Sequence, residues 1–133
     1  MAKKQKSYSR TLSKKKWRKP AGKRYPKYIW LYVLECANNH YYVGQTTNVE
    51  RRFKEHIKGK RDASWFTKVH KPIRVLYTRE ICICSAQQGL DMESRLTIEW
   101  MQKHSMEAVR GGALIQRDKM YWIDVYNRLS PVQ

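Results

Sequence analysis

The sequence predicts an α+β fold in which a small, mainly antiparallel sheet of three strands is flanked by helices. Two apolar runs typical of strands are separated by an Asn-Asn pair, and a helical pattern follows directly. A third strand-like run then precedes a second long helical pattern. The order of these segments is ββα(α)βα, with an additional element at the C-terminal end.

The first two strands are predicted to form a hairpin. Residues 28–36 carry apolar side chains on both alternating faces, as expected for a central strand that is covered on both sides. The Asn-Asn pair at 38–39 marks a turn, and residues 41–44 return as the second strand. The loop length decides which face each side chain takes. A two-residue loop puts Tyr32 and Tyr42 on opposite faces, whereas a three-residue loop or a bulge puts them on the same face.

The first helix is predicted to start at Thr47, since Thr47 and Glu50 have the spacing of a capping box, and to stop at Gly59. Arg52 and His56 lie four residues apart and share the flank of this helix. Its buried stripe is expected to consist of apolar residues at every fourth position, namely Val49, Phe53 and Ile57.

The rest of the chain divides into shorter segments. In order, we expect a short helix near residues 65–69, a third strand at 73–79, a second long helix from Ser85 or Asp91 to His104, a flexible break at 110–112 and a last helix at 120–129. The chain as a whole is expected to comprise a basic arm at 1–27, a folded domain at 28–112 and a C-terminal extension at 113–133 that packs on the domain.

Most of the positive charge lies in the N-terminal arm. The chain has 28 Lys and Arg against 11 Asp and Glu, a net charge of +17, and residues 1–24 hold eleven basic residues and no acidic one. We expect this arm to be disordered or extended and to bind nucleic acid by neutralising phosphates. A solubilising tail or a localisation sequence is the alternative. The arm residues expected to contact nucleic acid are Lys14, Lys15, Lys16, Arg18, Lys19, Lys23 and Arg24.

The composition excludes several classes of protein. Hydrophobic residues make up 41% of the chain, with nine Tyr and five Trp, which excludes disorder for most of it. No apolar run approaches the roughly 20 residues of a membrane-spanning helix. The basic N-terminus lacks the apolar stretch of a secretory signal. The odd number of cysteines, three, is typical of reduced thiols, so we expect a cytoplasmic or nucleoid-associated protein that is not secreted.

Glu93 is the most informative single residue. On a helical wheel it projects from the middle of the apolar face of the second long helix, and a buried carboxylate needs a cation partner. An Arg, a Lys or a metal ion would supply that partner, and a structural ion pair is the simpler alternative. Arg52 lies beside the predicted core, where a guanidinium either clamps a phosphate or packs its stem over the sheet edge.

Together these residues resemble the GIY-YIG endonuclease family over about residues 28–112. The first motif corresponds to residues 30–32, with Trp and Leu in place of Gly and Ile, and the second to Tyr-Val-Gly at 42–44. Residues 45–53 continue like the family's run into its first helix. The Val-Arg-Gly-Gly segment at 109–112 is similar to one in phage- and virus-encoded members, which implies a homing-endonuclease-like protein located in the host cell.

The resemblance implies metal-dependent hydrolysis of nucleic-acid phosphodiester bonds, with double-stranded DNA as the substrate. Glu93 would hold Mg²⁺ or Mn²⁺, Arg52 would stabilise charge in the transition state, and Tyr32 would orient or deprotonate the attacking water. A phenol with a pKa near 10 is a poor base, so Arg52, the metal or His56 must assist it. Tyr42 must share the face of Tyr32, which predicts the three-residue loop or the bulge.

Further nucleic-acid contacts are expected from Asn48, Arg51 and Arg110. The alternative function is a non-catalytic nucleic-acid-binding protein or an accessory component of a nucleoprotein assembly. Four residues favour the enzyme, because a protein that only binds nucleic acid does not require them: Glu93, Arg52 and the two tyrosines. A protein partner or a dimer is left open.

Overall fold

The computed structural model describes residues 25–59 and 63–130. The arm residues that we expect to bind nucleic acid, from Lys14 to Arg24, lie outside these ranges. The elements are, in chain order, β1 (Lys27–Cys36), β2 (His40–Thr46), α1 (Val49–Lys58), α2 (Trp65–Val69), β3 (Pro72–Ile83), α3 (Ala86–Lys103), β4 (Val109–Gly111), a short 3₁₀ helix (Lys119–Tyr121) and α4 (Ile123–Leu129).

Within these residues the sheet is mixed and has four strands, in the order β3-β1-β2-β4. β1 pairs antiparallel with β2 and with β3, whereas β2 pairs parallel with β4. The prediction of three strands is therefore wrong, although the α+β class is confirmed. The additional strand covers part of the segment that we expected to be a flexible break. Gly111 permits this pairing, because a Cβ atom there would collide with the carbonyl oxygen of Val43.

The hairpin has the three-residue loop that the two tyrosines require. Cys36 pairs with His40, so residues 37–39 form the loop, and Asn38 and Asn39 take the left-handed backbone conformation that Asn tolerates. Tyr42 lies opposite Leu34, which is two residues from Tyr32 on the same strand. Residues two apart share a face of the sheet, so Tyr32 and Tyr42 point to the same side, as predicted.

The sheet is covered on both faces, as expected for a central β1. On one side, Leu31 and Val33 of β1 pack in a cluster that includes Ile98 of α3 and also Leu114 and Trp122 from the C-terminal segment. On the other side, buried residues of β1 and β2 pack with Phe66 of α2, and partly buried residues of α1 join them. The C-terminal segment thus contributes to the same core as the sheet.

The start and the buried face of α1 differ from the prediction. Asn48, not Thr47, caps the helix, and its side-chain oxygen accepts a hydrogen bond from the Arg51 amide at 3.0 Å. Ile57 is 47% exposed, whereas His56 is fully buried. Val49 and Phe53 pack against the core as predicted, but the helix is rotated so that His56, and not Ile57, is buried.

The later elements agree more closely with the prediction. Ser85 caps α3 and His104 ends it, which matches the longer of the two predicted helices. β3 extends beyond the predicted strand in both directions. The last helix begins only at Ile123, after the buried Trp122. Among the described residues, no helix combines the length and the hydrophobicity that a membrane span requires.

Candidate active site

Two buried tyrosines form the floor of the candidate site. Tyr32 is 1% exposed and Tyr42 is 9% exposed, and their ring centroids are 6.3 Å apart. Gly44 lies directly opposite Tyr32 in the hairpin, and a Cβ atom at this position would collide with the phenol oxygen and the ring of Tyr32. The glycine of the second motif therefore leaves the space in which the Tyr32 ring lies.

His56 of α1 connects Tyr32 of β1 to Thr67 of α2. Its Nε2 atom is 2.9 Å from the Tyr32 oxygen, and its Nδ1 atom is 2.9 Å from the Thr67 hydroxyl. The ring also lies edge-on to Tyr42, with 4.9 Å between the centroids. Burial, together with the nearby Arg52 charge, lowers the pKa of His56 to about 4, so the imidazole is neutral at pH 7.

Neither phenol ionises readily in this environment. Burial and the neighbouring Tyr42 raise the pKa of Tyr32 well above its usual value, although Arg52 acts in the opposite direction. Burial, followed by the charge of Glu93, raises the pKa of Tyr42 to about 12. Of the possible assistants to Tyr32, the Arg52 charge is thus insufficient to produce a phenolate, whereas neutral His56 is within hydrogen-bonding distance of the phenol.

Arg52 supplies a positive charge that acts on both phenols. Its guanidinium opposes the rise that burial causes in the pKa of both Tyr32 and Tyr42, and its Nη1 atom donates to Glu55 Oε1 at 2.8 Å. The Arg52 side chain is 23% exposed. This combination leaves the guanidinium close to the tyrosines and accessible to an anionic ligand.

Glu93 has neutral hydrogen-bond donors in place of the cation that the sequence led us to expect. Its Oε1 accepts from Gln45 Nε2 at 2.8 Å, and its Oε2 accepts from the Gly112 amide at 2.7 Å. The residue is 8% exposed, and burial raises the pKa of its carboxyl. In the part of the chain that the structure describes, no Lys or Arg forms an ion pair with it.

The early end of β4 explains how these groups meet. β4 stops at Gly111, opposite Val43, so residues 44–46 of β2 have no strand neighbour on that side. Glu93 reaches this open edge from α3, and the Arg52 charge opposes the rise in its carboxyl pKa. The Glu93 charge in turn raises the pKa of both phenols, after the larger effect of burial. Tyr32, Tyr42 and His56 are thus in direct contact, and the charges of Arg52 and Glu93 act on both phenols.

The donor set at Glu93 fits one kind of metal site. Within residues 25–59 and 63–130, no three His, Cys, Asp or Glu side chains come together as a metal-binding group, which is unlike the closed cage of a structural zinc site. Each oxygen of the Glu93 carboxylate accepts one hydrogen bond and keeps further acceptor capacity. Mg²⁺ and Mn²⁺ suit such a site, because one carboxylate, waters and substrate phosphates supply their ligands.

The predicted nucleic-acid contacts have different placements. The Arg51 side chain is 61% exposed, whereas the Asn48 side chain caps α1. Arg110 does not lie at the surface as expected: it is 7% exposed, and its guanidinium lies over the Trp122 ring. The Arg110 guanidinium donates to the carbonyl oxygens of Met106, Val109, Gln116 and Arg117. The Arg110 side chain therefore joins the backbone at residues 106–109 to the backbone at residues 116–117.

The structure also adds residues to the site that sequence reasoning missed. Gln45 and Gly112 bind the Glu93 carboxylate, and Thr67 binds His56. Gln45 directly follows the Tyr-Val-Gly motif, which is a signal that could have identified it. Thr67 is eleven residues from His56 and on another helix, so no periodic pattern connects the two.

The sequence of this chain is similar to those of known proteins. Residues 28–105 match the model of the GIY-YIG catalytic domain. A UPF0213 protein of Cupriavidus necator is 51% identical over 47 residues, which cover 35% of this chain and 49% of the relative. A UPF0213 protein of Streptococcus pneumoniae serotype 4 is 31% identical over 67 residues, which cover 50% of this chain and 64% of the relative.

The chain thus spans between about half and two thirds of the length of these bacterial relatives. No solved structure matches it significantly. The family model, however, covers more than half of the chain and includes all five predicted catalytic residues. The chain belongs to the GIY-YIG catalytic-domain family.

Proposed function

We propose that this protein is a metal-dependent endonuclease that hydrolyses phosphodiester bonds in double-stranded DNA. The observation that supports this most strongly is that a nearly buried carboxylate, Glu93, and the Arg52 guanidinium both act electrostatically on the phenol of the Tyr32–His56 pair. A purely binding surface gains nothing from a nearly buried carboxylate that has no ion-pair partner among residues 25–59 and 63–130, because its desolvation is costly.

In this proposal, the charged groups act on the scissile phosphate. Glu93 would hold Mg²⁺ or Mn²⁺, which when bound stabilises negative charge on the phosphate and on the leaving 3′ oxygen. Arg52 would bind a non-bridging phosphate oxygen and stabilise the charge that develops there in the transition state. The Gln45 and Gly112 hydrogen bonds would keep the carboxylate in a fixed orientation.

Tyr32 acts as a proton relay in the proposed mechanism. The attacking water gives a proton to the Tyr32 oxygen while the phenol proton passes to His56 Nε2, so a free phenolate is not needed. The water oxygen forms a bond to phosphorus, and the bond between phosphorus and the 3′ oxygen breaks. His56 then returns its proton to the Tyr32 oxygen, and the proton that Tyr32 took from the water passes on to the 3′ oxygen or to solvent.

The proposal also includes a binding partner, a location in the cell and a biological role. The net charge of +17 favours a polyanionic substrate, and exposed Arg51 lies next to Arg52 on α1. A cytoplasmic or nucleoid-associated location would suit a DNA substrate. The homing role that the resemblance implies has no support from the bacterial UPF0213 relatives, whose names state no activity.

Plasmid cleavage tests the proposal. We expect the full chain to cut plasmid DNA with Mg²⁺ or Mn²⁺ and to stop cutting when a chelator is added. The variants Glu93→Ala and Arg52→Ala should each lose about 10²–10³-fold in rate. Their DNA affinity, measured by fluorescence anisotropy, should change little, because most of the binding free energy comes from other phosphate contacts.

Matched controls are available on exposed positions. Glu99→Ala removes a carboxylate from the same helix as Glu93, and Arg74→Ala removes a guanidinium that pairs with Glu35 at the surface. Both controls should cut like the wild type. Wild-type cleavage rates for both Glu93→Ala and Arg52→Ala would exclude this site. A wild type that binds DNA but never cuts it would instead support the non-catalytic alternative.

A further inference from the structure

The hydrogen bonds behind His56 continue to a backbone carbonyl. The Thr67 hydroxyl is 2.9 Å from His56 Nδ1 and 3.1 Å from the carbonyl oxygen of Ser64. His56 and Thr67 are both fully buried, at 0% exposure. Solvent is therefore excluded as an alternative partner for either side chain, and the direction of each hydrogen bond follows from the chemistry of the groups themselves.

The direction can be worked out from the carbonyl outwards. A carbonyl oxygen only accepts, so the Thr67 hydroxyl must donate its single proton to Ser64. The same hydroxyl can then only accept from His56, which requires a proton on Nδ1. A neutral imidazole carries one N–H, so Nε2 has a free lone pair and accepts the Tyr32 proton at 2.9 Å.

We infer that Thr67 is a positioning residue that holds His56 as the Nδ1-protonated tautomer, with Nε2 facing Tyr32 as a proton acceptor. The catalytic meaning of this inference rests on the proposed function, although the tautomer itself does not. In the opposite tautomer Nε2 would carry the proton and donate to the phenol oxygen. The relay from water through Tyr32 would then have no acceptor.

The start of α2 keeps the final acceptor in place. The Ser64 side chain caps this helix by accepting from the Phe66 amide at 3.1 Å. The Ser64 carbonyl also accepts from the Lys68 amide at 3.1 Å. The carbonyl that orients the Thr67 hydroxyl is thus part of the first helical turn, and the short helix α2 serves to orient the imidazole.

Nitrogen NMR tests the tautomer directly, without any measurement of activity. In the metal-free full chain near pH 7, we expect the His56 ring to show a protonated Nδ1 and an unprotonated Nε2, with His56→Gln used to assign the signals. Thr67→Ser should keep this pattern. Thr67→Val, which has a similar shape but no hydroxyl, should shift the ring towards the Nε2-protonated form.

A matched control separates the tautomer from a general loss of packing. Thr97 is also fully buried, and its hydroxyl also donates to a backbone carbonyl, but its hydrogen bond does not involve a histidine. Thr97→Val should therefore leave the His56 signals unchanged. A protonated Nε2 in the wild type would overturn the inference, and so would a Thr67→Val spectrum identical to that of the wild type.

Cleavage kinetics give the second measurement. Thr67→Val should lower kcat by about 10²-fold or more with little change in KM, and Thr67→Ser should restore most of the rate. If Glu93 and Arg52 are required for cleavage but Thr67→Val cuts normally, the inference fails while the proposed function stands. If the wild type cuts no DNA but the expected tautomer is found, the proposed function fails and the assignment of Thr67 stands.

Discussion

At the scale of single residues, the contact between Gly44 and Tyr32 gives the second motif a physical meaning. The two residues face each other across the hairpin, and the Tyr32 phenol occupies the space of the missing Cβ atom. The same phenol is fixed at its other side by His56. A glycine without any reactive group thus decides where the proposed proton relay lies.

We expect Gly44→Ala to displace the Tyr32 ring and to break its hydrogen bond to His56. Cleavage should fall by about 10²-fold, and overpacking should lower the free energy of unfolding by about 1–3 kcal/mol. Chemical denaturation checks the second value. The cost should be smaller in a Tyr32→Ala background, which lacks both the colliding oxygen and the ring, and additive costs in this double-mutant cycle would contradict the steric explanation.

The neutral, buried His56 also predicts how stability depends on pH. Its pKa is about 4 in the folded protein against an ordinary value of 6.5, so the unfolded chain binds the proton more readily. The His56 contribution to stability is therefore present above about pH 6.5 and is lost as the pH falls towards 4, by up to about 3 kcal/mol.

Urea unfolding of the wild type and of His56→Gln between about pH 7 and about pH 4 measures this contribution. The wild type should lose more stability than the variant over this range. Identical pH dependence in the two proteins would contradict a neutral imidazole in the core.

At the scale of elements, the sequence predicted those features that follow a short repeat or a parity rule. The placement of Glu93 on the buried face of α3 belongs to this group. Parity alone left two loop lengths open for the hairpin, and the family resemblance, which requires Tyr32 and Tyr42 on one face, selected the three-residue loop or a bulge. The strand β4 could not be predicted in this way. It has three residues, one of them the glycine that brings it close to Val43, and two adjacent glycines ordinarily indicate a break.

The rotation of α1 shows a second limit of sequence patterns. Apolar spacing assigned Ile57 to the buried face, but the tertiary hydrogen bonds of His56 to Tyr32 and Thr67 outweigh this preference. Those partners lie in β1 and α2, so the sequence of α1 alone could not predict them. The burial of Arg110 could not be predicted for the same reason, since two of its carbonyl partners, Gln116 and Arg117, lie in a segment whose path the sequence does not define.

At the scale of the whole molecule, the uneven charge predicts separate contributions to binding and to cleavage. Residues 1–24 hold eleven of the 28 basic residues, whereas the proposed catalytic groups all lie within residues 32–93. Counterion release makes DNA binding depend on salt, with each neutralised phosphate adding about 0.9 to the slope of log K against log salt.

We expect deletion of residues 1–24 to weaken DNA binding about equally for unrelated sequences and to flatten its salt dependence. Anisotropy titrations at several salt concentrations measure both effects, with Arg52→Ala in the full chain as the comparison that should keep the slope nearly unchanged. An unchanged slope after the deletion would exclude the arm from phosphate contact.

The turn at residues 37–39 has a consequence for how this protein can change over time. Insertion or removal of one residue there would carry Tyr42 to the far side of the sheet, while β1 kept every side chain in place. Surface turns ordinarily tolerate variation in length. Here the loop must keep an odd number of residues for the two tyrosines to share a face, although none of its three residues takes part in the proposed chemistry.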